Sequence, residues 1–138
     1  MTISIPREGL VRALAPHIRV DVYGSCGKLK CDPATPEKCY EMVNQTYKFY
    51  LSLENSVCRD YLTEKFYNLL PYNVIPVVLT GADMTVRAPP HSYIDVRDFN
   101  TTKELAQYLH AVDQDDKLFA SYFWWRDYYS IKVRKIFS

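Results

Sequence analysis

Residues 47–79, YKFYLSLENSVCRDYLTEKFYNLLPYNVIPVVL, decide the fold because three structural patterns follow one another within them. From Tyr47 to Leu53 alternate side chains share one face, which predicts a β-strand. Asp60 is suited to cap a helix, whose core-facing stripe is formed by Leu62, Phe66, Leu69 and Leu70. Residues 74–79 then predict a short buried strand. A strand, a helix and a strand in this order form a βαβ unit whose two strands are parallel neighbours.

The segments before this unit predict one helix and one strand. Residues 7–15 have apolar side chains on one helical face, and Pro16 ends the pattern. Residues 18–24 alternate apolar and charged side chains up to a glycine, which is typical of a strand. Residues 24–46 contain cysteines and prolines, so we expect a long loop there that is functional or held by disulfides.

The segments after the unit predict a further strand and two helices. Residues 92–96 are the strand candidate, and Thr101 or Thr102 is expected to cap the first helix. The core-facing residues of that helix are Leu105, Tyr108, Leu109 and Val112. An aromatic helix is expected over residues 115–129. In the strand predicted for residues 74–79, Pro76 favours an edge position or a bulge. Together these elements predict an α/β fold with helices around a mostly parallel sheet.

Length and composition limit the classes of protein to which the chain can belong. A chain of 138 residues that is 48% hydrophobic and 24% charged is typical of one globular domain. Its 17 Lys and Arg residues almost balance its 16 Asp and Glu residues, so no overall basic field is present to attract nucleic acid or a membrane surface. No apolar run approaches the roughly 18–20 residues of a membrane span. An anionic ligand would therefore be bound by a few placed cations.

Four cysteines, Cys26, Cys31, Cys39 and Cys58, bear on the redox environment of the chain. Their spacings contain no CxxC pair, so zinc is a weak interpretation. One or two disulfides in an oxidising lumen fit better, and Cys26 and Cys31 are close enough in sequence to enclose a small loop. Reduced core cysteines are the alternative, because the pairing of cysteines cannot be deduced from sequence.

Two tripeptides match the N-glycosylation sequon: residues 44–46 (NQT) and residues 100–102 (NTT). They make Asn44 and Asn100 candidate glycan sites and, with the cysteines, favour the secretory pathway. Such tripeptides also occur by chance.

A candidate binding site lies where the first strand of the βαβ unit leads into its helix. In an open parallel sheet, ligands bind outside the carboxyl ends of the strands, near helix N-termini. Asn55, Tyr61, Glu64 and Lys65 fall in this zone. A helix N-terminus suits phosphate, and a lysine there opposes the helix dipole, which slightly favours a ligand. On spacing alone, however, the favoured interpretation of Glu64 and Lys65 is an ordinary solvated first turn.

Three further patterns have simpler explanations than a functional site. Asp113 and Asp115 form an Asp-x-Asp pattern, which some nucleotide-sugar enzymes use to hold a divalent metal. Asp at the start of a helix is the expected cap, and we predict a cap here rather than a metal site. Residues 122–125 (YFWW) are expected in the core rather than as a stacking platform for nucleic acid. The histidines lack any partner pattern and are expected at the surface or in packing: His17, His91 and His110.

A set of motifs within residues 47–99, namely YKF, ENS, DYLTEK, PVV, PPHSYI and DF, resembles the donor-binding half of the α1,3-fucosyltransferase family. The similarity is greatest to the invertebrate and plant members. Leu53 and Leu62 stand where the family pattern has Phe and Val, and both are apolar exchanges. Residues 20–31 (VDVYGSCGKLKC) and 122–129 (YFWWRDYY) are also similar, so the resemblance covers nearly the whole chain.

The resemblance implies a GT-B architecture of two Rossmann-like domains, with GDP-fucose bound to the C-terminal one. Asn55, Tyr61, Glu64 and Lys65 match the family's donor-contacting residues, and Arg7 matches the arginine that meets the diphosphate. The implied reaction is inverting transfer of fucose from GDP-fucose to a hydroxyl of an N-acetylglucosamine-containing glycan on a glycoprotein. The general base for the acceptor is expected in the N-terminal acceptor domain, so no catalytic residue is assigned to this chain.

The resemblance also implies a domain assignment and a cellular setting. Residues 1–138 are interpreted as the donor domain, a fragment that lacks the acceptor domain and the membrane anchor and is inactive by itself. The full-length protein is expected in the Golgi lumen as a single-pass type II membrane protein. No cofactor is expected to be required, although a non-essential divalent cation is compatible with the family.

Two alternatives belong to other classes of protein. One is a non-catalytic lumenal module that binds a nucleotide sugar or a partner. The other is an unrelated disulfide-stabilised extracellular domain, which suits the cysteines and the sequons but leaves residues 61–65 unexplained.

Overall fold

A computed structural model of the chain describes residues 7–21, 36–53, 69–79, 84–86 and 88–129. The helices are α1 (Arg7–Leu14), α2 (Pro36–Thr46), α3 (Thr102–Gln114) and α4 (Asp116–Ser121), and the strands are β1 (Phe49–Leu53), β2 (Ile75–Leu79) and β3 (Ile94–Asp95). Short 3-10 helices cover Met84–Val86, Val96–Asp98 and Trp124–Asp127.

The described strands form one parallel sheet in the order β1, β2, β3. Phe49 lies opposite Ile75 at one end of the β1 and β2 pair, and Leu53 lies opposite Leu79 at the other. The pairing of β3 with β2 is short and begins opposite Val77. The prediction that the two strands of the βαβ unit are parallel neighbours is confirmed.

Pro76 lies in the central strand, so the expectation of an edge position is wrong. Ile75 donates its N–H to the carbonyl of Lys48, on the β1 side, at 2.8 Å. Because successive backbone groups of a strand point to opposite sides, the nitrogen of Pro76 points to the β3 side. The pairing with β3 begins one residue later, at Val77. The missing N–H of the proline therefore costs no bond in that pairing.

The main hydrophobic core joins one face of the sheet to α1 and α3, which contact each other. Its buried residues are Leu10, Leu14, Ile75, Val77, Ile94, Val96, Leu105, Ala106, Leu109, Val112 and Tyr122. On β2 the odd-numbered residues face this core, while Val78 packs in a smaller cluster with Met84 and Ala88. Both faces of β2 are thus buried, which is typical of a parallel strand covered on two sides.

The strand predicted for residues 18–24 is not observed over residues 18–21, and residues 22–24 lie outside the described residues. Ile18 and Val20 pack against the main core as the alternation predicts. Arg19 forms an ion pair with Asp21 at 3.2 Å, and the Tyr47 hydroxyl donates to the same carboxylate. An alternating pattern becomes a strand only where a neighbouring backbone pairs with it.

Part of the predicted loop over residues 24–46 is a helix. α2 begins at Pro36, and proline is favoured at the first position of a helix because its missing N–H would be unsatisfied there anyway. The ring of Tyr40 stacks on Tyr72 with centroids 5.8 Å apart. The Asn44 side-chain oxygen accepts from the N–H of Asn73 at 2.8 Å. α2 therefore packs against the turn of residues 70–73 that leads into β2.

The helix predicted after Asp60 ends as expected. Leu69 is helical and fully buried, and the N–H of Tyr72 donates to its carbonyl at 2.9 Å. The residues before Leu69, from 54 to 68, lie outside the described residues.

The aromatic helix predicted for residues 115–129 is shorter than expected. α4 ends at Ser121, and a 3-10 helix covers Trp124–Asp127. Tyr122, the C-cap of α4, and Trp125, in the 3-10 helix, are both buried. The Trp125 indole N–H donates to the Tyr122 carbonyl at 3.0 Å.

The helix caps follow the sequence prediction. Thr101 is the N-cap of α3, and its hydroxyl oxygen accepts from the N–H of Glu104 at 3.1 Å. Asp115 is the N-cap of α4 and accepts from the N–H groups of Lys117 and Leu118. The interpretation of Asp115 as a cap is confirmed.

None of the helices in the described part of the chain is both long enough and apolar enough to span a membrane.

Candidate functional site

The carboxyl ends of the three parallel strands define the edge of the sheet where a ligand is expected. β1 ends at Leu53, β2 at Leu79 and β3 at Asp95. Arg7 is the first residue of α1. The other predicted donor residues lie outside the described residues: Asn55, Tyr61, Glu64 and Lys65. Their common site and the side-chain direction of Arg7 stay predictions.

The candidate cysteines and glycan sites fall partly on the described residues. Cys39 lies in α2, while Cys26, Cys31 and Cys58 are outside the described residues, so the disulfides stay predictions.

Of the two asparagines, Asn44 lies in the last turn of α2 and is held by the N–H of Asn73 at 2.8 Å. Asn100 is exposed just before the Thr101 cap of α3.

A carboxylate at the end of β3 is already paired. Asp95 accepts from the N–H of Arg97 at 2.9 Å and from two nitrogens of its guanidinium at 3.3 and 3.1 Å. The hydrogen bond to Asp95 raises the pKa of Arg97. Burial, followed by the negative charge of Asp95, raises the pKa of Asp98. Arg97 therefore neutralises the carboxylate that lies at this edge of the sheet.

The PPHSYI motif forms a closed turn that leads into β3. The Ser92 side chain is buried and donates to the Pro89 carbonyl at 2.7 Å. The Trp124 indole N–H donates to the Pro90 carbonyl at 2.8 Å, from a segment 34 residues later in the chain. These bonds fix the turn against the aromatic segment after α4. Within the described residues, the motif contributes to the fold by directing the chain into the sheet.

The three histidines lie at the surface, as predicted, and the rings of two of them, His91 and His110, also contact neighbouring residues. The His91 ring stacks on Tyr122, with centroids 3.9 Å apart and planes 20° apart. Its Nε2 lies 2.8 Å from the hydroxyl oxygen of Ser121. His110 Nε2 lies 3.0 Å from the backbone carbonyl of His17, which joins α3 to the end of α1.

The aromatic segment at residues 122–125 is largely core, as predicted. Tyr122 and Trp125 are buried, and the Tyr122 hydroxyl forms a short hydrogen bond with the hydroxyl of Tyr108. Burial, followed by the hydrogen bond to Tyr108, raises the pKa of Tyr122. Trp124 departs from the prediction, because 36% of it is exposed.

The Asp-x-Asp pattern is used for structure at both positions. Asp115 caps α4, while Asp113 forms an ion pair with Lys48 at 2.9 Å. The Lys48 ammonium also donates to the Asp113 carbonyl at 2.9 Å and lies 5.4 Å from the centre of the Phe119 ring. Among the described residues, no three His, Cys, Asp or Glu side chains are grouped in a way that could hold a metal ion.

Arg126 was not predicted from the sequence as a notable residue. Its guanidinium donates to Asn73, Leu70 and Tyr72, and it lies over the rings of Phe123 and Trp125. The only sequence signal was its place inside the YFWWRDYY segment.

Nearly the whole chain matches the model of a known protein family. Residues 2–137 match glycosyltransferase family 10 (fucosyltransferase), C-terminal part. The chain belongs to glycosyltransferase family 10.

The chain is also similar to named proteins of a fly and of humans. Over 125 residues the chain is 47% identical to alpha-(1,3)-fucosyltransferase C of Drosophila melanogaster. This match covers 91% of this chain and 29% of the fly protein. It is 49% identical to glycoprotein 3-alpha-L-fucosyltransferase A of the same fly, over 82% of this chain and 23% of that protein. It is 38% identical to human GDP-fucose protein O-fucosyltransferase 3, over 87% of this chain and 27% of that protein. The chain thus spans less than a third of the length of these three relatives.

Proposed function

We propose that this chain is the donor-binding part of a fucosyltransferase, which transfers fucose from GDP-fucose to a hydroxyl of an N-acetylglucosamine-containing glycan with inversion at the anomeric carbon. Membership of glycosyltransferase family 10 over residues 2–137 supports this activity. The names of two fly relatives specify 3-linked fucosyl transfer, and the name of a human relative specifies GDP-fucose. In this proposal the parallel sheet belongs to a Rossmann-like domain of a GT-B enzyme in the Golgi lumen, anchored as a single-pass type II membrane protein.

The parallel pairing of β1 with β2 is the observation that supports the proposal most. The segment that leaves the carboxyl end of β1 and returns to the amino end of β2 contains Asn55, Tyr61, Glu64 and Lys65. In open parallel sheets the ligand binds where such a segment leaves its strand, near the helix N-terminus that follows. A nucleoside diphosphate bound there would have its phosphates near the first turn of that helix.

The proposed reaction needs charge stabilisation on the leaving group. The acceptor hydroxyl attacks the anomeric carbon as the bond to the GDP oxygen breaks, and its proton passes to a general base outside this chain. Arg7 and Lys65 would stabilise the negative charge on the departing diphosphate, a role that a divalent cation has in other enzymes. Glu64 would accept hydrogen bonds from sugar hydroxyls, while Asn55 and Tyr61 would orient the donor. A bound divalent cation would not be essential.

The first test is binding of the donor nucleotide to the purified chain by titration calorimetry. We expect GDP and GDP-fucose to bind with dissociation constants in the micromolar range or weaker. GMP should bind less tightly because it lacks the second phosphate. Lys65→Ala should weaken GDP binding by about tenfold or more, because a charge-assisted hydrogen bond contributes about 1.5–3 kcal/mol and tenfold is about 1.4 kcal/mol.

The matched control is Lys103→Ala, which removes an exposed lysine from the first turn of α3. It should leave the affinity for GDP unchanged. A folded wild-type chain that releases no heat with either GDP or GDP-fucose would contradict the donor-site proposal. Persistent binding of a glycan or a protein in Lys65→Ala would instead favour a non-catalytic lumenal module.

A further inference from the structure

Three aromatic side chains between residues 124 and 129 are exposed to solvent next to one another. Trp124 is 36% exposed, Tyr128 77% and Tyr129 49%. The ring centres of Tyr128 and Tyr129 lie 5.7 and 6.0 Å from that of Trp124. In the part of the chain that the structure describes, these are the only large hydrophobic side chains that are exposed. We call them the aromatic patch, and exposed aromatic surface of this kind indicates a binding surface.

The fold holds the aromatic patch in place. The Trp124 indole N–H donates to the Pro90 carbonyl at 2.8 Å. The backbone N–H groups of Tyr128 and Tyr129 donate to the carbonyl of Trp125 at 3.0 and 2.8 Å, and Trp125 is buried. The two tyrosine rings are inclined to the indole by 49° and 84°, so the patch forms a corner rather than a flat surface. Because the backbone and the indole are already ordered, binding costs less conformational entropy here than on a loose segment.

Hydrogen-bonding groups border the rings of the patch. Trp124 and Asp127 are the first and last residues of one 3-10 helix, and residues three apart lie on the same side of such a helix. Asp127 is exposed, and within the described residues its carboxylate forms no hydrogen bond or ion pair. The hydroxyls of Tyr128 and Tyr129 are likewise without a hydrogen bond to the described chain. The negative charge of Asp127 disfavours an anionic ligand at this surface.

The size of the patch limits what it can bind. From their exposed fractions, the three side chains present roughly 250–400 Å² to solvent, at about 150–250 Å² for a whole aromatic side chain. A standard protein–protein interface buries about 800 Å² on each partner. The patch therefore has the size for one or two sugar rings, and about half or less of the area that a stable second copy of the chain would need.

The chemistry of the patch matches a neutral sugar. The face of an aromatic ring is negative, and it attracts the slightly positive C–H groups on the face of a pyranose ring. A carboxylate and tyrosine hydroxyls accept hydrogen bonds from the hydroxyls at the rim of the sugar. We propose that the aromatic patch is a binding surface for a neutral saccharide, with N-acetylglucosamine-containing glycans as its ligands. The choice of N-acetylglucosamine rests on the proposed function.

The position of the patch indicates what this binding does. Pro90, to which Trp124 is bonded, precedes β3, whereas the donor nucleotide is expected at the carboxyl ends of the strands. A glycan held by the patch therefore leaves the donor edge of the sheet open. Binding of one sugar unit raises the effective concentration of the other units of the same glycan around the protein.

The test is a titration of the purified chain with N,N′-diacetylchitobiose, followed by saturation-transfer difference NMR and by tryptophan fluorescence. We expect saturable binding in the millimolar range, with the strongest transfer to the C–H protons on one face of the sugar. Saturating GDP should leave the saccharide affinity unchanged, because the two ligands occupy different parts of the chain.

Tyr128→Ala should weaken saccharide binding by about fivefold or more, because it removes the most exposed ring of the patch. Tyr128→Phe keeps the ring and should bind nearly as the wild type does. Asp127→Asn should weaken binding by about threefold, since the hydrogen bonds to the sugar lose their charge. The matched control is Asp116→Asn, at an exposed carboxylate in the first turn of α4, and it should bind like the wild type.

The outcomes separate the saccharide surface from the donor site. A wild-type chain that does not bind the saccharide, or equal affinity in the wild type, Tyr128→Ala and Asp127→Asn, would overturn the inference. A dimer in sedimentation velocity that Tyr128→Ala abolishes would also overturn it, because the patch would then bind a second copy. Saccharide binding that Tyr128→Ala weakens, in a chain that does not bind GDP, would support the saccharide surface while the proposed function fails.

Discussion

At the scale of single residues, His91 has the most unusual backbone of the described residues. Its φ of 52° lies in the left-handed region, which is unfavourable for a residue with a Cβ. The hydroxyl of Ser121 donates to the carbonyl of Leu118, so its oxygen accepts from Nε2–H of His91. This hydrogen bond and the stack on Tyr122 hold the residue in that conformation.

We expect His91 to make the stability of the chain depend on pH. Burial lowers the pKa of His91 below the ordinary value of 6.5. Because the unfolded state then binds the proton more tightly, this contribution to stability is complete above 6.5 and is lost as the pH falls through the folded-state pKa. Denaturant unfolding between about pH 7 and pH 5 should therefore show a steeper loss of stability in the wild type than in His91→Asn.

The backbone effect can be separated from the titration with a second variant. Asparagine tolerates the left-handed region better than alanine does, so His91→Ala should be less stable than His91→Asn at every pH. Both variants should lack the pH-dependent loss. An equal pH slope in the wild type and in His91→Asn would show that His91 does not titrate differently in the folded state.

At the scale of secondary-structure elements, the start of α3 tests how far a local pattern determines a helix. The sequence left Thr101 and Thr102 as alternative caps, and the structure selects Thr101. Glu104 strengthens the same terminus, because its carboxylate accepts from the N–H of Asn100 at 3.2 Å. The helix contributes Leu105, Leu109 and Val112 to the core, so its start affects the stability of the whole domain.

Thr101→Ala should lower the free energy of unfolding by about 1 kcal/mol, because the N–H of Glu104 then loses its hydrogen-bond partner. Urea denaturation of the two proteins measures this difference. Thr102→Ala is the matched control, since Thr102 is the first residue of the helix and not its cap. A larger loss in Thr102→Ala than in Thr101→Ala would contradict the assignment.

α2 shows why an element can be missed when the chain is considered in pieces. Pro36 and the cysteines suggested a loop, yet proline at a first helical position favours a helix. What stabilises α2 comes from distant residues, through Tyr72 and Asn73. Isolated helices of this length are marginal in water, so tertiary packing decides whether they form.

At the scale of the whole molecule, packing distinguishes two sequons that are equivalent in sequence. Asn44 is half-buried as a whole residue, and its side-chain oxygen accepts from the backbone N–H of Asn73, which lies 29 residues later in the chain. Asn100 is exposed before α3, where a bulky group has access to solvent. The fold therefore accommodates a glycan on Asn100 more easily than one on Asn44.

When the chain is secreted from a eukaryotic host, we expect a glycan on Asn100 and none on Asn44. Treatment with an N-glycosidase should shift the mobility of the wild type and of Asn44→Gln, but not that of Asn100→Gln. A shift that persists in Asn100→Gln would show that Asn44 is modified, and a wild type without any shift would contradict the prediction that Asn100 carries a glycan.

The sequence by itself determined the parallel β1 and β2 pair, the end of the helix at Leu69 and the cap at Asp115, because these depend on side chains within a few residues or on a known handedness rule. Only the tertiary structure decided the central place of Pro76, the commitment of Asn44 to Asn73 and the contacts of Arg126 with residues 70–73. Those contacts join segments that are tens of residues apart. No local periodicity encodes such contacts, and they arise only when the packed elements bring the partners within hydrogen-bonding distance.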